Sequence, residues 1–232
     1  YELDYSPATI RGYFKKLGDE GFLAQEHISS GRTPTNEALK QYWIGKLNFS
    51  ISGVNIKAIE FLANKIGVTV FLKKEKSDIL QNIINVENRY IILEFTTFVV
   101  NIKFNPALYK FLSDFLQSSL KDILKISKDV GAYELYSSIN YTLQSSDFDI
   151  FNYKEFLSLA LNFDFDEFTI NKFLKGTILD ELKEGLYFDG FLPQSYIGVC
   201  KFCKINNEDY KMFVVGELSK DYEYFFEQII NF

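Results

Sequence analysis

The chain is poor in the residues on which nucleophilic catalysis and metal binding depend. Its 232 residues include one histidine, His27, and two cysteines, Cys200 and Cys203. A serine or cysteine nucleophile generally needs a neighbouring base such as histidine, and neither common type of glycine-rich phosphate loop is present. We therefore expect a protein that is not an enzyme and that has no catalytic residue and no cofactor.

Long apolar segments are missing as well. The best candidate, YIILEFTTFVV at 90–100, is interrupted by Glu94 and two threonines, and it falls short of the roughly 18–20 residues that cross a membrane. The sequence shows no signal-peptide pattern, and two cysteines provide no disulfide framework. These absences favour a cytoplasmic protein.

Two short clusters could suggest metal or redox chemistry. The CKFC motif at 200–203 has CxxC spacing, but a strand-like run points residues three apart to opposite faces, and zinc would require a second pair. The run NFDFDEF brings Asp164, Asp166 and Glu167 together, and carboxylates at a helix start usually pair with the helix dipole. We predict structural roles for both clusters and no metal site.

Charge is distributed unevenly along the chain. The net charge of −6 argues against a uniformly basic nucleic-acid binder. Basic and acidic residues balance within residues 1–47, so the whole excess lies in residues 48–232. With 47% hydrophobic residues the chain can bury a substantial core, which argues against wholesale disorder. The N-terminal segment is thus the less acidic part of an acidic, folded molecule.

The segment SPATIR at 6–11 predicts the start of a helix. Ser6 is a good N-cap, and Pro7 occupies the first helical position. Ile10, Phe14 and Leu17 then repeat at helical spacing and predict a buried stripe. The other side carries Ala8, Arg11, Gly12 and Lys15, flanked by Thr9 and Lys16. A capped helix that exposes such residues has the shape of a helix laid into a DNA groove.

A polar loop within HISSGRTPT at 27–35 follows a short apolar strand and precedes a helix that begins near Thr35. Its hydroxyl groups, its glycine and Arg32 suit phosphate contacts, or a guanidinium that enters a minor groove. The same pattern also fits an ordinary amphipathic helix followed by a solvated hairpin. Periodicity alone leaves both interpretations open.

The remainder of the chain alternates between strand and helix patterns. Four strand-like runs follow a helix at 54–66, and from Asn105 and Pro106 the pattern is helical over a long stretch. From Tyr187 onwards, strand patterns return in SYIGVCKFCKI and YKMFVVGEL, and KDYEYFFEQIINF closes the chain as a helix. A sheet that stops and later resumes predicts an α+β domain with a helical insertion.

The N-terminal motifs resemble those of a known family. SPATIR at 6–11, GFL at 21–23 and HISSGRTPT at 27–35 occur in the order and at the spacing of the heat-inducible transcription repressor HrcA family. The segment GELSKDYEYFFEQI at 216–229 is similar to the ending of that family. The chain departs from the family at Gly12 and Tyr13, where asparagine and an acidic residue are usual.

The resemblance implies a domain organisation. Residues 1–50 would form a winged helix-turn-helix DNA-binding domain, residues 51–105 with 185–232 a GAF-like α/β domain, and residues 106–184 an inserted helical dimerisation domain. A winged helix needs helices before its recognition helix, so we expect the N-terminal domain to be incomplete here.

The resemblance also implies a function and partners. Members of the family repress heat-shock (chaperone) operons by binding an inverted-repeat operator in double-stranded DNA as a homodimer. Their activity is modulated by the chaperonin GroEL and needs no obligate small-molecule ligand. The helix from Pro7 would be the recognition helix, with Arg11 the best candidate for a base contact, and residues 25–33 would be the wing. The expected DNA-binding residues are Ser6, Thr9, Arg11, Gly12, Lys15, Lys16, His27, Ser29, Ser30, Gly31, Arg32 and Thr33.

Two other functions fit the sequence. GAF-like sheets often hold ligands, so one alternative is a small-molecule-sensing transcriptional regulator with a polar-lined pocket. The phenylalanines on the predicted strands favour a packed core over such a pocket: Phe71, Phe95, Phe98, Phe202 and Phe213. The other alternative is a protein-interaction module whose hairpin docks a partner, and it would show no salt-dependent affinity for DNA.

Overall fold

Helices and strands alternate along the chain in a mixed α+β order. A computed structural model of the protein describes residues 5–25, 27, 30–51, 53–75, 77–143 and 148–231. The elements are α1 Pro7–Asp19, β1 Leu23–Ala24, β2 Thr33–Pro34, α2 Asn36–Lys46, α3 Ile56–Ile66, β3 Thr69–Lys74, β4 Leu80–Val86, β5 Tyr90–Phe95, β6 Val99–Lys103, α4 Pro106–Ser113, α5 Leu120–Asp129, α6 Tyr133–Leu143, β7 Phe148–Phe151, α7 Tyr153–Asn162, α8 Glu167–Leu174, α9 Ile178–Glu181, β8 Gly185–Tyr187, β9 Tyr196–Ile205, β10 Glu208–Glu217 and α10 Tyr222–Asn231. Within the described part of the chain, no helix has the length and apolar character needed to span a bilayer.

The chain forms two compact units. One is discontinuous and combines Tyr1–Lys73 with Phe148–Phe232, and the other consists of Lys74–Asp147. We call the first the sheet unit and the second the inserted unit.

A five-stranded sheet forms the centre of the sheet unit, in the strand order β7-β3-β10-β9-β8. β9 and β10 pair antiparallel over their full length. Successive residues of a strand point to opposite faces, so Val214 packs in a core with α2, α3 and α10, whereas Phe213 packs in a second core with α7, α8 and α9. Helices therefore bury both faces of this sheet.

A three-stranded antiparallel sheet in the order β4-β5-β6 forms the inserted unit together with α4, α5 and α6. Ile91 and Leu93, alternate residues of β5, are fully buried in the core that these elements share. The other face of the sheet carries Ile84, Tyr90 and Val99, which are exposed. The inserted unit therefore has an apolar core of its own, and on its other sheet face exposed apolar side chains stand among polar ones such as Glu94 and Asn101.

The strands that follow α3 belong to two different sheets. The strand patterns of residues 69–103 are confirmed as β3–β6, but only β3 joins the five-stranded sheet. The compact unit Lys74–Asp147 contains β4–β6 together with α4–α6, and the expected boundaries of the GAF-like and dimerisation domains stay predictions. β4–β6 separate from the larger sheet because α4–α6 cover their inner face, whereas α7–α9 cover the sheet of the larger unit.

Strand β7 lies in a region where the sequence pattern predicts only helices. It pairs antiparallel with β3, with Ile150 opposite Phe71. Directly after it, Asn152 takes a left-handed φ of 53°. Its side-chain amide donates to the carbonyl oxygens of Ala63 and Val68, each at 3.1 Å. A four-residue strand is too short to be recognised from periodicity, and here contacts distant in sequence stabilise it.

The cysteine and carboxylate clusters have structural positions. Cys200 and Cys203 lie on opposite faces of β9, in the two different cores, and burial raises the pKa of the Cys203 thiol to about 12. Asp166 is the N-cap of α8, and hydrogen bonds from the backbone and hydroxyl of Thr169 lower its pKa. Among the described residues, no group of three His, Cys, Asp or Glu is placed to hold a metal ion.

The phenylalanines expected to fill the sheet lie in three different environments. Phe71 and Phe213 are fully buried side by side, with ring centroids 6.4 Å apart. Phe95 and Phe98 stack at 4.7 Å in the inserted unit. Phe202, contrary to the expectation, is 41% exposed. Of these five phenylalanines, Phe71 and Phe213 lie in the packed core of the sheet unit.

A small cavity lies between α7 and the five-stranded sheet. Its volume is about 30 Å³, and its lining includes Thr69, Phe156, Tyr196 and Glu217. That volume suits a water molecule, whereas ligand pockets are usually about 300 Å³ or larger. This cavity therefore gives no support to a small-molecule sensor.

Candidate nucleic-acid interface

The recognition-helix candidate α1 begins as the sequence predicts. The hydroxyl oxygen of Ser6 accepts a hydrogen bond from the backbone N–H of Thr9 at 3.2 Å and lies 2.9 Å from the Thr9 hydroxyl oxygen. Pro7 occupies the first turn, which contains no acidic residue. An N-cap of this kind satisfies one of the free N–H groups at a helix start, so the end of α1 proposed to approach DNA is well defined.

Three cations are exposed on α1. The Arg11 Nε–H donates to the carbonyl oxygen of Pro7 at 3.2 Å, which orients the guanidinium along the first turn. Lys16 forms a loose pair with Glu20 at 3.9 Å, with both side chains largely in solvent. Lys15 makes no hydrogen bond or ion pair with any described residue. The helix can therefore offer its positive charge to an external anion.

Gly12 leaves a bare stretch of backbone among these cations. A Cβ atom added at this position would have no heavy atom within 4 Å, and its φ is not in the left-handed region. Nothing in the described fold therefore requires glycine here. The missing side chain instead leaves room for an external molecule to approach the helix backbone.

The apolar side of α1 differs from the prediction. No residue of α1 is buried, and in the expected stripe Phe14 is 46% and Leu17 is 37% exposed. The element that packs next to α1 is β1, a two-residue strand. A strand this short has too little apolar surface to cover a helix of 13 residues. The expected burial of Ile10, Phe14 and Leu17 is therefore wrong for the described residues.

The wing candidate is a hairpin of two short strands. β1 and β2 pair antiparallel, with Ala24 opposite Thr33. The Ser30 hydroxyl donates to the carbonyl oxygen of His27 at 2.8 Å and accepts from the backbone N–H of His27 at 3.0 Å. A Cβ on Gly31 would meet nothing within 4 Å. His27 and Ser30 are thus held together by hydrogen bonds, and Gly31 is open to solvent.

Most of the predicted wing residues are accessible. His27, Gly31, Arg32 and Thr33 are exposed, and Ser30 is partly buried. Arg32 has no hydrogen bond or ion pair among the described residues. The predicted contact residue Ser29 lies outside the described residues.

Thr35 joins α1, the hairpin and α2. Its hydroxyl donates to the carbonyl oxygen of Gly21, just after α1, at 2.9 Å. The same oxygen accepts from the backbone N–H of Ala38 at 3.2 Å and so caps α2. We call the described residues of 5–35 the N-terminal head. The side chain of Thr35 connects this head to α2.

Two features of this region have no recognisable signal in the sequence. Tyr5 and Tyr13 form an edge-on ring pair at 6.0 Å, and both are more than half exposed. The second feature is the way α2 packs on the sheet unit. Trp43 donates its indole N–H to the carbonyl oxygen of Leu218 at 2.8 Å. These two residues are 175 positions apart, so no local pattern reveals the contact.

The sequence is similar to those of several known proteins. The family model described as the HrcA C-terminal domain matches residues 43–232. Heat-inducible transcription repressor HrcA of Helicobacter pylori strain J99 is 32% identical, over 98% of this chain and 83% of the relative. The same repressor of Helicobacter pylori strain 26695 is 31% identical over the same shares of both chains.

Two further similarities are partial or distant. Heat-inducible transcription repressor HrcA of Chlamydia pneumoniae is 56% identical, over 17% of this chain and 10% of its own length. A crystal structure of a hypothetical protein aligns with 100% of this chain and 87% of its own, at 17% identity and a TM-score of 0.48, which is too low to support an inference. The family model covers most of the chain, and a full-length relative exceeds 30% identity. The chain belongs to the HrcA family of heat-inducible transcription repressors.

Proposed function

We propose that this protein represses chaperone operons by binding an inverted-repeat operator in double-stranded DNA as a dimer, and that the chaperonin GroEL modulates its activity. The observation that carries the proposal is the exposed, capped helix α1, with Arg11, Lys15 and Lys16 on its surface and no acidic residue in its first turn. This surface belongs to the part of the chain that lacks the net negative charge of residues 48–232.

Each polar group of the N-terminal head has a proposed role. Arg11 contacts a base edge, because its guanidinium retains donors that are not used by Pro7 and arginine pairs with guanine through two parallel hydrogen bonds. Lys15, Lys16 and Arg32 neutralise phosphates. The hydroxyl groups of Ser6 and Thr9 add phosphate contacts at the helix start. Gly12 and Gly31 allow DNA to approach the backbone closely.

The dimer is proposed to form through the inserted unit. Its sheet face exposes 37% of Ile84, 46% of Tyr90 and 56% of Val99, and apolar residues grouped on an exposed face are typical of association surfaces. A two-fold dimer presents two heads related by the symmetry of an inverted repeat. The exposed apolar side chains of the inserted unit and the symmetry of an inverted repeat therefore both support a two-fold dimer.

The dependence on the chaperonin is proposed to arise from incomplete burial of apolar side chains. Around the turn between α7 and α8, Leu161 is 76%, Phe163 is 46% and Phe168 is 70% exposed. Such side chains favour aggregation or capture by a chaperonin, particularly on heating. A purified protein that stays monodisperse and binds DNA after heating without chaperonin would contradict this part of the proposal.

The proposal is tested by titrating the full-length protein into fluorescent DNA and measuring anisotropy. An inverted-repeat chaperone operator is compared with a scrambled duplex of equal length at two salt concentrations. We expect tight binding to the repeat and weak binding to the scrambled duplex, the latter disappearing at higher salt. Equal weak binding to both duplexes would overturn operator recognition, and no binding at low salt would favour a protein-interaction module.

A further inference from the structure

The N-terminal head is supported by α2. Within the described part of the chain, every hydrogen bond, ion pair and ring contact of α1 remains among residues 5–35. The head continues into α2 through Thr35, which caps that helix. The apolar cores of the sheet unit include Trp43 of α2 and Leu47, the residue that caps its C-terminal end, but no residue of α1. The orientation of the head therefore depends on how α2 is held.

α2 is held at the corner where β10 leads into α10. Trp43 is 5% exposed, and besides its hydrogen bond to Leu218 its ring meets the ring of Tyr222 edge-on at 5.3 Å. At the surface, Glu223 accepts from the Tyr42 hydroxyl at 3.2 Å and pairs with Lys46 at 3.1 Å. We call these contacts of Tyr42, Trp43 and Lys46 with Leu218, Tyr222 and Glu223 the α2 seat.

The α2 seat resists both bending and rotation of the helix. Trp43 anchors one face of α2 in the core, while Tyr42 and Lys46, four residues apart, hold the next face against a single carboxylate. Contacts on two faces stop a helix from rolling about its own axis, which one buried side chain does not prevent. A third contact, Lys40 to Asp189 at 2.8 Å, lies nearer the head.

We infer that the α2 seat sets the separation and mutual orientation of the two N-terminal heads on DNA, and that Tyr42, Trp43, Lys46 and Glu223 are positioning residues for the spacing between operator half-sites. The inference rests on the proposed function. In a dimer formed through the inserted unit, the path from one head to the other runs through both copies of α2. A rigid path admits one spacing, whereas a loosened path admits several, at lower affinity for each.

The test measures how strongly the affinity for the operator depends on the spacing between its half-sites. Three duplexes are titrated: the inverted repeat that the full-length protein binds, the same repeat with two base pairs inserted between the half-sites, and a single half-site. Two inserted base pairs rotate one half-site by about 70° relative to the other, because a DNA turn has about 10.5 base pairs. A rigid dimer cannot follow this rotation without cost.

Two variants loosen the seat by different routes. Glu223→Ala removes the partner of Tyr42 and Lys46, and Trp43→Phe removes the indole donor while keeping an aromatic ring in the core. Glu227→Ala is the matched control, because Glu227 lies on the same helix, is exposed and has no side-chain bond to a described residue. Melting temperature and sedimentation are measured for every variant. Sedimentation is expected to stay unchanged, and the two glutamate variants should melt close to the original protein. Trp43→Phe should melt several degrees lower, because a buried ring becomes smaller and a buried hydrogen bond is lost.

In both seat variants we expect the ratio of the affinity for the original repeat to that for the lengthened repeat to fall about tenfold. The affinity for the single half-site should change less than about twofold. The Glu227→Ala control keeps the full preference. An unchanged preference in both seat variants would overturn the inference, as would an equal loss on the half-site, which would place the effect in the head. If the original protein does not distinguish the repeat from scrambled DNA, the proposed function itself fails.

Discussion

Packing requires one glycine of this chain, Gly198, but not another, Gly12. In β9, a Cβ on Gly198 would lie 2.6 Å from Cε2 of Phe213, whose ring is fully buried among other aromatic rings. In α1, a Cβ on Gly12 would meet nothing within 4 Å. A larger residue would clash at Gly198, whereas no contact within the described fold requires glycine at Gly12. Gly12 lies on the surface proposed to face DNA.

The first prediction follows from this contrast. Gly198→Ala should lower the free energy of unfolding by about 1–3 kcal/mol, because the Phe213 ring cannot move aside in a packed core. Gly12→Ala should raise it by up to about 1 kcal/mol, because alanine favours the helix and has space. Urea unfolding monitored by circular dichroism measures both changes. Equal effects of the two substitutions would show that the space at these positions does not decide the outcome.

A second prediction distinguishes the two arginines of the head. Arg11→Ala should cost about 1–3 kcal/mol of operator binding, mostly at one base-pair position of each half-site. Arg32→Ala should weaken binding to all sequences and reduce the salt slope by about 2, because a dimer loses two phosphate contacts. Anisotropy titrations on a set of single-base variants separate these outcomes. A uniform loss for Arg11→Ala would contradict its role in base recognition.

A third prediction concerns the buried thiol of Cys203. Burial, with a smaller contribution from Asp209, raises its pKa to about 12, whereas an unfolded thiol has a pKa of about 8.5. The folded state therefore keeps its proton while the unfolded state loses it, so this contribution to stability is complete below about pH 8.5 and declines as the pH rises towards 12. Urea unfolding between pH 8 and pH 10 should show a smaller decline for Cys203→Ala than for the original protein. Identical declines would show that this thiol does not contribute.

At the scale of single elements, helix starts are encoded locally. Asn105 accepts hydrogen bonds from the backbone N–H groups of Ala107 and Leu108, at 2.9 and 3.1 Å, and Pro106 follows as the first helical residue of α4. Ser6 and Pro7 begin α1 in the same way. Both starts were predicted from sequence, because a cap bonds to groups only two or three residues away.

The fourth prediction tests the cap of α4. Asn105→Ala should destabilise the protein by about 1 kcal/mol, because two backbone donors lose their acceptor. Asn101→Ala is a suitable control, since Asn101 is an exposed residue of β6 whose side chain has no bond to a described residue. Thermal unfolding followed by circular dichroism compares the two variants. A loss for Asn101→Ala as large as that for Asn105→Ala would show that the cap is not the cause.

At the scale of the whole molecule, the net negative charge lies outside the N-terminal head, the part proposed to bind DNA. The excess of negative charge lies in residues 48–232, and the head has none of it. DNA would therefore be attracted to the head and repelled by the remainder of the molecule, which restricts the orientations in which the two can meet.

The fifth prediction concerns salt dependence. A dimer that places Lys15, Lys16 and Arg32 of both copies against phosphates should show a slope of about −5 in a plot of log K against log salt concentration. Titrations of the operator at four or more salt concentrations give this slope. A value near −2 or −3 would indicate that only one head binds at a time.

The sequence by itself determined features that depend on neighbours along the chain. The caps at Ser6, Asn105 and Asp166 are of this kind, because a capping bond spans only two or three residues. The opposite faces of Cys200 and Cys203 follow equally directly from the two-residue repeat of a strand. The family motifs are also local, which explains why the N-terminal residues pointed to the family before any fold was known.

Tertiary structure alone decided where each element packs. β7 exists because β3 offers it a pairing edge, and β4–β6 leave the larger sheet because α4–α6 bury their inner face. Phe14 and Leu17 have the spacing of core residues but remain exposed, because β1, the described strand that packs next to α1, has two residues. The α2 seat joins residues about 175–181 positions apart. Burial depends on the partner that a face meets, and helical or strand periodicity shows only that such a face exists.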